Sequence, residues 1–372
     1  MSRRVDATRQ QILRRIVKHK VVEQQFLPSI RELEQWSGCS RQTVHLALSD
    51  LAEAGVLEAI PRRGYRLRDF ALASELLNST GELRIAFVLP HWIENGIASP
   101  LFAEILDGAE TAALAGTGVN VIYQTLPWEI GETVFSLEKL ALRSRRIAGV
   151  LLVGPTPDFV AEQFLARCGV PVVLVDNVTD LPDSISVSQD NLSGAARAVR
   201  YLYERGHRRI GMISVKPRKM RINERMAGFF AEMHRLGLVD QIAFLEEAVW
   251  NADTIAGGRE AAENLIRNGF AGATAVLALN DYMALGAMQV FLQNGICIPE
   301  RLSIMGIGGD PRIKELSPIP LTTMVADMRM LGKLSLEVLL ERIRHPEKDG
   351  RITLLSMRLV EGGSVIDGPA KE

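Results

Sequence analysis

The apolar positions of this chain follow one rhythm up to about residue 68 and another beyond it. Ile12, Leu13, Ile16 and Val17 recur at helical spacing among Arg and Lys residues, which predicts a first amphipathic helix. In Leu27-Pro28-Ser29-Ile30-Arg31-Glu32-Leu33, Ser29 and Glu32 have the spacing of a capping box. A second helix therefore starts there, with Leu33 and Trp36 turned inward. Ser37-Gly38-Cys39-Ser40 breaks it, Gly38 suiting the turn, and Ser40 can cap a third helix that runs to about Ala54. On that helix Val44, Leu48 and Leu51 form the buried stripe, leaving Arg41, Gln42, Thr43 and His45 to project, and Gly55 stops it. Residues 56–60 and 65–67 then read as a hairpin turned at Pro61-Arg62-Arg63-Gly64.

Residues 69–82 end in Asn78-Ser79-Thr80-Gly81 and suit a tether, with room for a helical turn or two between Ala71 and Leu77. From residue 83 short runs of Val, Ile and Leu alternate with helical patterns. Strands are expected at 83–89, 119–123, 148–153 and 172–175, with helices near 100–115, 132–144 and 158–167. A second series of strands follows at 210–213, 243–249, 275–279 and 303–307. Continuous apolar strands alternating with helices imply parallel sheets covered on both faces, and two series imply two similar lobes. The domains expected are therefore 1–68, a linker at 69–82, and an α/β body at 83–372.

Ligands of such sheets sit beyond the carboxyl ends of the strands. Those ends are Pro90-His91-Trp92, Gly154-Pro155, Asp176-Asn177, Ser214-Val215, Asn280-Asp281 and Gly308-Gly309-Asp310. Any strand-to-helix turn also attracts Asn, Asp and Gly as helix caps, and for a single residue capping is the commoner role.

A chain of 372 residues can bury two or three cores, and its 23% charged residues leave no bias toward disorder. No apolar run reaches the ~18 residues of a membrane span, and Met1-Ser2-Arg3-Arg4-Val5-Asp6 lacks the apolar stretch of a secretory signal. Cys39, Cys168 and Cys297 are far apart, as expected of reduced cytoplasmic thiols. Charge changes the picture most. The first 68 residues hold 13 Lys/Arg against 7 Asp/Glu, a balance of +6 within a chain whose total is -1. A basic unit on an acidic body suggests that the first unit meets a polyanion.

Two helices joined by a short Gly-containing turn, the second beginning with polar residues, have the geometry of a helix-turn-helix. Its second helix enters the major groove, where Arg and Gln can contact bases bidentately. The hairpin supplies a wing whose tip arginines suit phosphates or the minor groove. The segment LPSIRELEQWSGCSRQTVHLALSDLAEAGVLEAIPRRGYRL resembles the winged helix of the GntR family over nearly all of residues 8–68. The resemblance implies binding to double-stranded DNA through Arg31, Ser40, Arg41, Thr43 and Gly64, to which Gln42, His45, Arg62 and Arg63 are added by position. His45 stands where many members carry Arg or another residue, and Arg62 replaces the first glycine of the usual wing turn.

A second resemblance lies in DNLSGAARAVRYLYERGHRRIGMI, ERMAGF, VLALNDYMALGAMQVFLQNGICIPERLSIMGIGG and PLTTM, which look like the effector domain of the LacI/GalR family. It implies a periplasmic-binding-protein-like pair of lobes with an effector, usually a sugar, in the cleft. Carried over by position, Asp176, Arg225 and Asn280 match effector contacts, and Lys219 and Arg221 lie where some members touch ligand. Trp92, Ser99 and Phe102 complete the nominated set. Asp310 is displaced by one extra residue from the family's aspartate after the SIMG glycine. The LacI headpiece and hinge helix are replaced by the GntR-type unit, so the whole resembles the GntR-type hybrids that control arabinose use. The fold class expected is thus α/β, a winged helix-turn-helix followed by two lobes of parallel sheet flanked by helices.

No enzyme chemistry emerges. The six histidines lack metal spacing, and no GxSxG, P-loop or dinucleotide fingerprint is present. A pyridoxal-phosphate aminotransferase fusion would need a longer C-terminal part and a Schiff-base lysine, so no cofactor and no metal are expected. The resulting expectation is a cytoplasmic, homodimeric regulator, acting as a repressor on a palindromic operator under a sugar or acidic sugar derivative; activation or co-repressor dependence is the alternative. The acidic option comes from residues 216–225, where five of ten residues are basic: Lys216, Arg218, Lys219, Arg221 and Arg225.

Overall fold

The computed structural model describes residues 3–78, 83–90, 99–115, 118–126, 147–154, 156, 158–179, 181–215, 223–248 and 254–369. The N-terminal unit is built from α1 (Arg3–Lys18), α2 (Ile30–Ser37), α3 (Arg41–Glu53), β1 (Leu57–Ile60), β2 (Gly64–Leu67) and α4 (Phe70–Asn78). The local chemistry of α2 is the expected capping box. Glu32 accepts from the Ser29 backbone at 2.8 Å, and the Ser29 hydroxyl accepts from the Glu32 N–H at 3.3 Å. Gly38, at φ 67°, closes α2, and Ser40 caps α3 by accepting from the Thr43 N–H. Ile12, Leu13, Ile16, Leu33, Val44, Leu48 and Leu51 pack with Leu57 and Leu67 of the hairpin in one core.

One feature differs from the sequence expectation. Trp36 does not turn inward: it is 42% exposed, and the Arg15 guanidinium lies over its ring at 4.9 Å. The helical turns expected between Ala71 and Leu77 form α4, whose Ala73 and Leu76 are buried in the same core. Asp69 caps it by accepting from the Leu72 N–H at 2.8 Å.

The remaining chain forms two six-stranded sheets. The first contains β3 (Leu83–Pro90), β4 (Val119–Leu126), β5 (Ile147–Val153), β6 (Val172–Val175), β7 (Ile185–Gln189) and β13 (Arg351–Leu355), in the order β13-β7-β6-β5-β3-β4. The second contains β8 (Ile210–Val215), β9 (Ile242–Ala248), β10 (Ala275–Ala278), β11 (Ser303–Gly308), β12 (Thr322–Val325) and β14 (Arg358–Val360), in the order β14-β12-β11-β10-β8-β9. Strands β8 to β12 pair in parallel, and only β14 runs antiparallel, to β12. The two parallel-sheet lobes expected from the alternating pattern are thus present. The helix expected near 132–144 lies outside the described residues.

The lobes are not independent, because the chain passes between them three times. From β7 it enters α7 (Asn191–Glu204), which packs on β10, β11 and β12 of the second sheet. From β12 it returns through α12 (Met328–Arg344) against β6 and β7. Finally β13 and β14, two residues apart, belong to different sheets. Close helix contact holds α5 (Pro100–Leu114) against α12: a Cβ on Gly332 would lie 1.9 Å from the Ile105 carbonyl oxygen, and one on Gly108 would lie 2.0 Å from that of Arg329. Glycine is required at this crossing because backbone occupies the space a side chain would need.

Candidate functional site: a recognition helix and a strand-end cleft

On α3 the residues at successive 100° steps sort into two faces. Val44, Ala47, Leu48 and Leu51 face the core, so Arg41, Gln42, His45 and Leu46 share the opposite, exposed face. Thr43 lies between the faces, its hydroxyl 2.9 Å from that of Ser40, so this pair shapes the helix start. Arg31 is exposed on α2. Leu46, 46% exposed, is a member of the recognition face that the sequence reading missed, although its i+4 spacing from Gln42 carries the signal.

At the wing tip Ile60 pairs with Gly64, leaving a three-residue loop closed by the Arg63 N–H on the Ile60 carbonyl at 3.0 Å. Arg62 takes φ 62° and Gly64 φ 99°, so the position that usually carries glycine is left-handed here too. Arg62 and Arg63 are exposed, whereas Arg66 is bound to Glu58 across the hairpin at 2.7 Å. The wing thus offers two cations at its tip rather than three.

In the body, the strand-end residues are drawn together but are heavily committed to one another. Arg225, on α8 (Asn223–Arg235), donates from Nε to Asn191 Oδ1 at 2.7 Å and from Nη1 to the carbonyls of Leu279 at 2.8 Å and Ile307 at 3.1 Å. It ties together the start of α7 and the ends of β10 and β11. Burial draws its guanidinium below the ordinary arginine range, against the attraction of Asp176 and Asp281. Asp176, left-handed at φ 55° after β6, accepts from Gln189 Nε2 at 2.9 Å. Burial pushes its carboxyl up, against the Gln189 hydrogen bond and nearby Arg225.

Asn280 caps α10 (Asp281–Gln293), its Oδ1 accepting from the Met283 N–H at 2.8 Å. Asp281 is buried and accepts from Thr323 Oγ1 at 2.6 Å and from the Gly309 N–H at 2.5 Å. Asp310 is buried as well, and Arg312, which the sequence reading did not nominate, folds back on it. Burial raises the Asp310 carboxyl, but hydrogen bonds from Arg312 and Tyr282 outweigh it and hold the group below its ordinary range. Arg312 Nη2 also reaches Ser99 Oγ at 3.4 Å, across to the first lobe at the start of α5. Ser99 is buried and Phe102, in the first turn of α5, is half-buried. A cavity of about 440 Å³ adjoins this cluster, its lining including Glu104, Asp281, Gly309, Asp310, Thr323 and Lys314. Trp92, Lys219 and Arg221 lie outside the described residues. Among the described residues no group of His, Cys, Asp and Glu has the arrangement of a metal site.

A winged helix with a polar recognition face, followed by a two-lobed α/β body with a polar seam at its strand ends, is the architecture of a ligand-responsive DNA-binding transcription regulator. The family comparisons divide the chain in the same way. Residues 4–67 match the gntR family of bacterial regulatory proteins, and residues 199–365 match a periplasmic binding protein-like domain. The transcriptional regulator MalR of Streptomyces coelicolor is 30% identical over 236 residues, covering 62% of this chain and 67% of the relative. The transcriptional repressor PurR of Edwardsiella ictaluri is 26% identical over 352 residues, covering 92% of this chain and 98% of the relative. A LacI-family regulator from Enterococcus faecium, solved with bound ribose, superposes with a TM-score of 0.60 at 25% identity, over 77% of this chain and all of that one. The chain belongs to the GntR/LacI-type fusion regulators, with a GntR-family DNA-binding domain joined to a LacI-family effector domain.

Proposed function

We propose that the protein is a homodimeric repressor of a palindromic operator, controlled by a sugar or sugar derivative held between its two lobes. The observation that carries the DNA half is the face of α3, where Arg41, Gln42 and His45 project from a capped helix start with no competing role in the core. Arg41 and Gln42 are suited to bidentate base contacts, and Arg31, Arg62 and Arg63 to phosphates. Residues 1–68, extended by α4, serve as the reading head, and 83–372 as the effector and dimerisation body. Repression is supported by the relatives, one of them named a repressor, and a sugar by the ribose in the Enterococcus regulator.

Within the cleft, Asn280 has its Oδ1 in a helix cap, so ligand contact falls to its amide N–H groups. The further effector contacts in this reading are Asp176, Ser99 and Phe102, with Trp92, Lys219 and Arg221. Effector and operator affinities are coupled reciprocally, each altering the other by the same factor. The protein acts without catalysis and in the cytoplasm, a placement in keeping with the lack of any helix, among the described residues, long and apolar enough to cross a membrane. Selection from a random duplex pool tests the first half and should enrich a two-fold symmetric site. A thermal-shift screen of sugars, sugar acids and sugar phosphates tests the second, and its hit must change the affinity for that site. A hit that leaves operator affinity unchanged would remove the regulatory reading.

A further inference from the structure

The nominated acceptor of the cleft, Asp310, has no acceptor capacity left. A carboxylate offers about four lone-pair positions. Oδ1 of Asp310 takes the Arg312 N–H at 2.9 Å and Arg312 Nε at 3.3 Å, while Oδ2 takes Tyr282 Oη at 2.5 Å and Arg312 Nη2 at 3.0 Å. The group is also only 3% exposed, so a ligand hydroxyl has no lone pair there to find. What stands in front of it is Arg312, whose side chain is 32% exposed. Its guanidinium is pinned in one orientation by Asp310 and by the Tyr282 hydroxyl, and the Tyr282 ring lies 5.6 Å from it. Nη2 carries its contacts to Asp310, Tyr282 and Ser99, whereas Nη1 has no hydrogen-bond partner among the described residues. A position that would accept from a neutral polyol has become a fixed donor.

We propose that Arg312 holds an anionic oxygen of the effector, a carboxylate or a phosphate, through its Nη1 edge. The free Nη1 N–H groups of a guanidinium give such an oxygen charge-assisted hydrogen bonds, and pinning by Asp310 removes most of the side-chain entropy lost on binding. Asp310 is then a positioning residue: it sets the fork and does not touch ligand. The Nη2 contact to Ser99 Oγ at 3.4 Å places this guanidinium where the two lobes meet. This assignment rests on the cleft as the effector site but not on the basic segment at 216–222.

Calorimetry on the full-length protein tests it with matched probes: ribose against ribose 5-phosphate, glucose against glucose 6-phosphate, and galactose against galacturonate. At least one acid should bind about 10- to 100-fold more tightly than its neutral parent. Arg312→Gln should erase that preference while leaving the neutral member within a few-fold. Because Arg312→Gln alone leaves Asp310 buried without its partner, the double variant Asp310→Asn/Arg312→Gln provides the fold-preserving control and should behave alike. Arg312→Lys should keep part of the preference. A neutral parent binding as tightly as its acid, an acid preference unchanged in Arg312→Gln, or binding of no acid at all would overturn the assignment. Asn280→Ala separates the two ideas. If it weakens acid and neutral probes alike while Arg312→Gln changes neither, the cleft stands and Arg312 falls. If it changes neither while Arg312→Gln abolishes the preference, the anion site stands and the wider cleft reading fails.

Discussion

On α3 the side chains of Arg41, Gln42 and His45 have no partner among the described residues, and the helix beneath them is held by a separate apolar face. At the strand ends of the second sheet the reverse holds. Arg225 binds two carbonyls and an amide, Asn280 caps a helix, Asp281 fastens β12 to the loop after β11, and Asp310 is saturated by its neighbours. The same residue types therefore mean different things in the two regions. An exposed polar face on a helix whose fold needs nothing from it is free to be read by DNA. A polar seam inside a two-lobed body must first satisfy the carbonyls and helix ends that converge there. Only what remains is offered to a ligand.

The largest effect should come from the seam. Arg225→Ala removes the donor to the Leu279 and Ile307 carbonyls and a cation that attracts Asp176 and Asp281. Breaking such a network costs roughly 3–5 kcal/mol, so the variant should unfold at markedly lower denaturant than the parent. Arg225→Lys should recover only a part, because one ammonium cannot span three acceptors on separate elements. If Arg225→Ala keeps the parental unfolding midpoint and loses only effector binding, the contrast between the regions collapses.

The recognition helix should give the opposite signature. Arg41→Ala should weaken operator binding by roughly 1–3 kcal/mol and relax preference at one base position. Its unfolding midpoint should shift by no more than about 0.5 kcal/mol in stability, since the side chain holds nothing. Fluorescence anisotropy against single-base variants of the operator, paired with chemical denaturation, reads both quantities. Unchanged operator affinity would mean that α3 is not the reading helix.

This division also governs how much could be read from the amino-acid order. The winged helix was legible nearly residue by residue because its determinants are local: the Ser29 and Ser40 caps, the Gly38 turn and the Val44-Leu48-Leu51 stripe each lie within a few positions of what they control. Trp36 was misplaced because an aromatic at helical spacing reads as core, whereas stacking of Arg15 makes a half-exposed position acceptable. In the body the long apolar strands were legible, but β7, β12, β13 and β14 were not. Ser186 and Ser188 interrupt β7 although both are buried, β12 opens on two threonines, and β13 and β14 are short edge strands. Arg312 was invisible for a different reason. Only the turn at Pro311 and the crossing of two lobes bring it against Asp310, Tyr282 and Ser99, residues 2, 30 and 213 positions away.

A smaller effect distinguishes the body through pH. His207 is buried at the end of α7, with Nδ1 2.9 Å from Thr274 Oγ1 and Nε2 3.0 Å from the Ile366 carbonyl oxygen. Burial lowers its pKa below the ordinary 6.5, against the raising influence of the Ile366 carbonyl and Asp367. The unfolded chain therefore binds this proton at a higher pH than the native one. The contribution to stability is complete above the unfolded value, near pH 6.5, and is lost as pH falls toward the native value. His207→Gln should flatten that part of the profile of the body's melting temperature between pH 7 and about pH 5. An unchanged slope would assign the acid sensitivity to other groups.

The smallest effect concerns the wing, where the two regions' logic meets in one residue. Arg62 is exposed like the recognition residues, yet its backbone is left-handed at φ 62°, a conformation that costs an L-residue about 1–2 kcal/mol. Arg62→Gly would relieve that strain but enlarge the freedom of the unfolded chain, so the two changes offset and net stability should move by less than about 1 kcal/mol. On DNA the substitution removes one tip cation. If Arg62 contacts a phosphate, affinity should fall evenly across operator variants and the slope of log affinity against log salt should drop by about 0.9. Arg63→Ala should produce a similar salt effect without any gain from relief of strain, since Arg63 is not among the left-handed residues. Measuring both variants across a salt series tells whether the cation at this turn is kept for DNA. An unchanged slope in Arg62→Gly together with a reduced one in Arg63→Ala would assign the wing contact to Arg63 alone, leaving the left-handed arginine without a function on the operator.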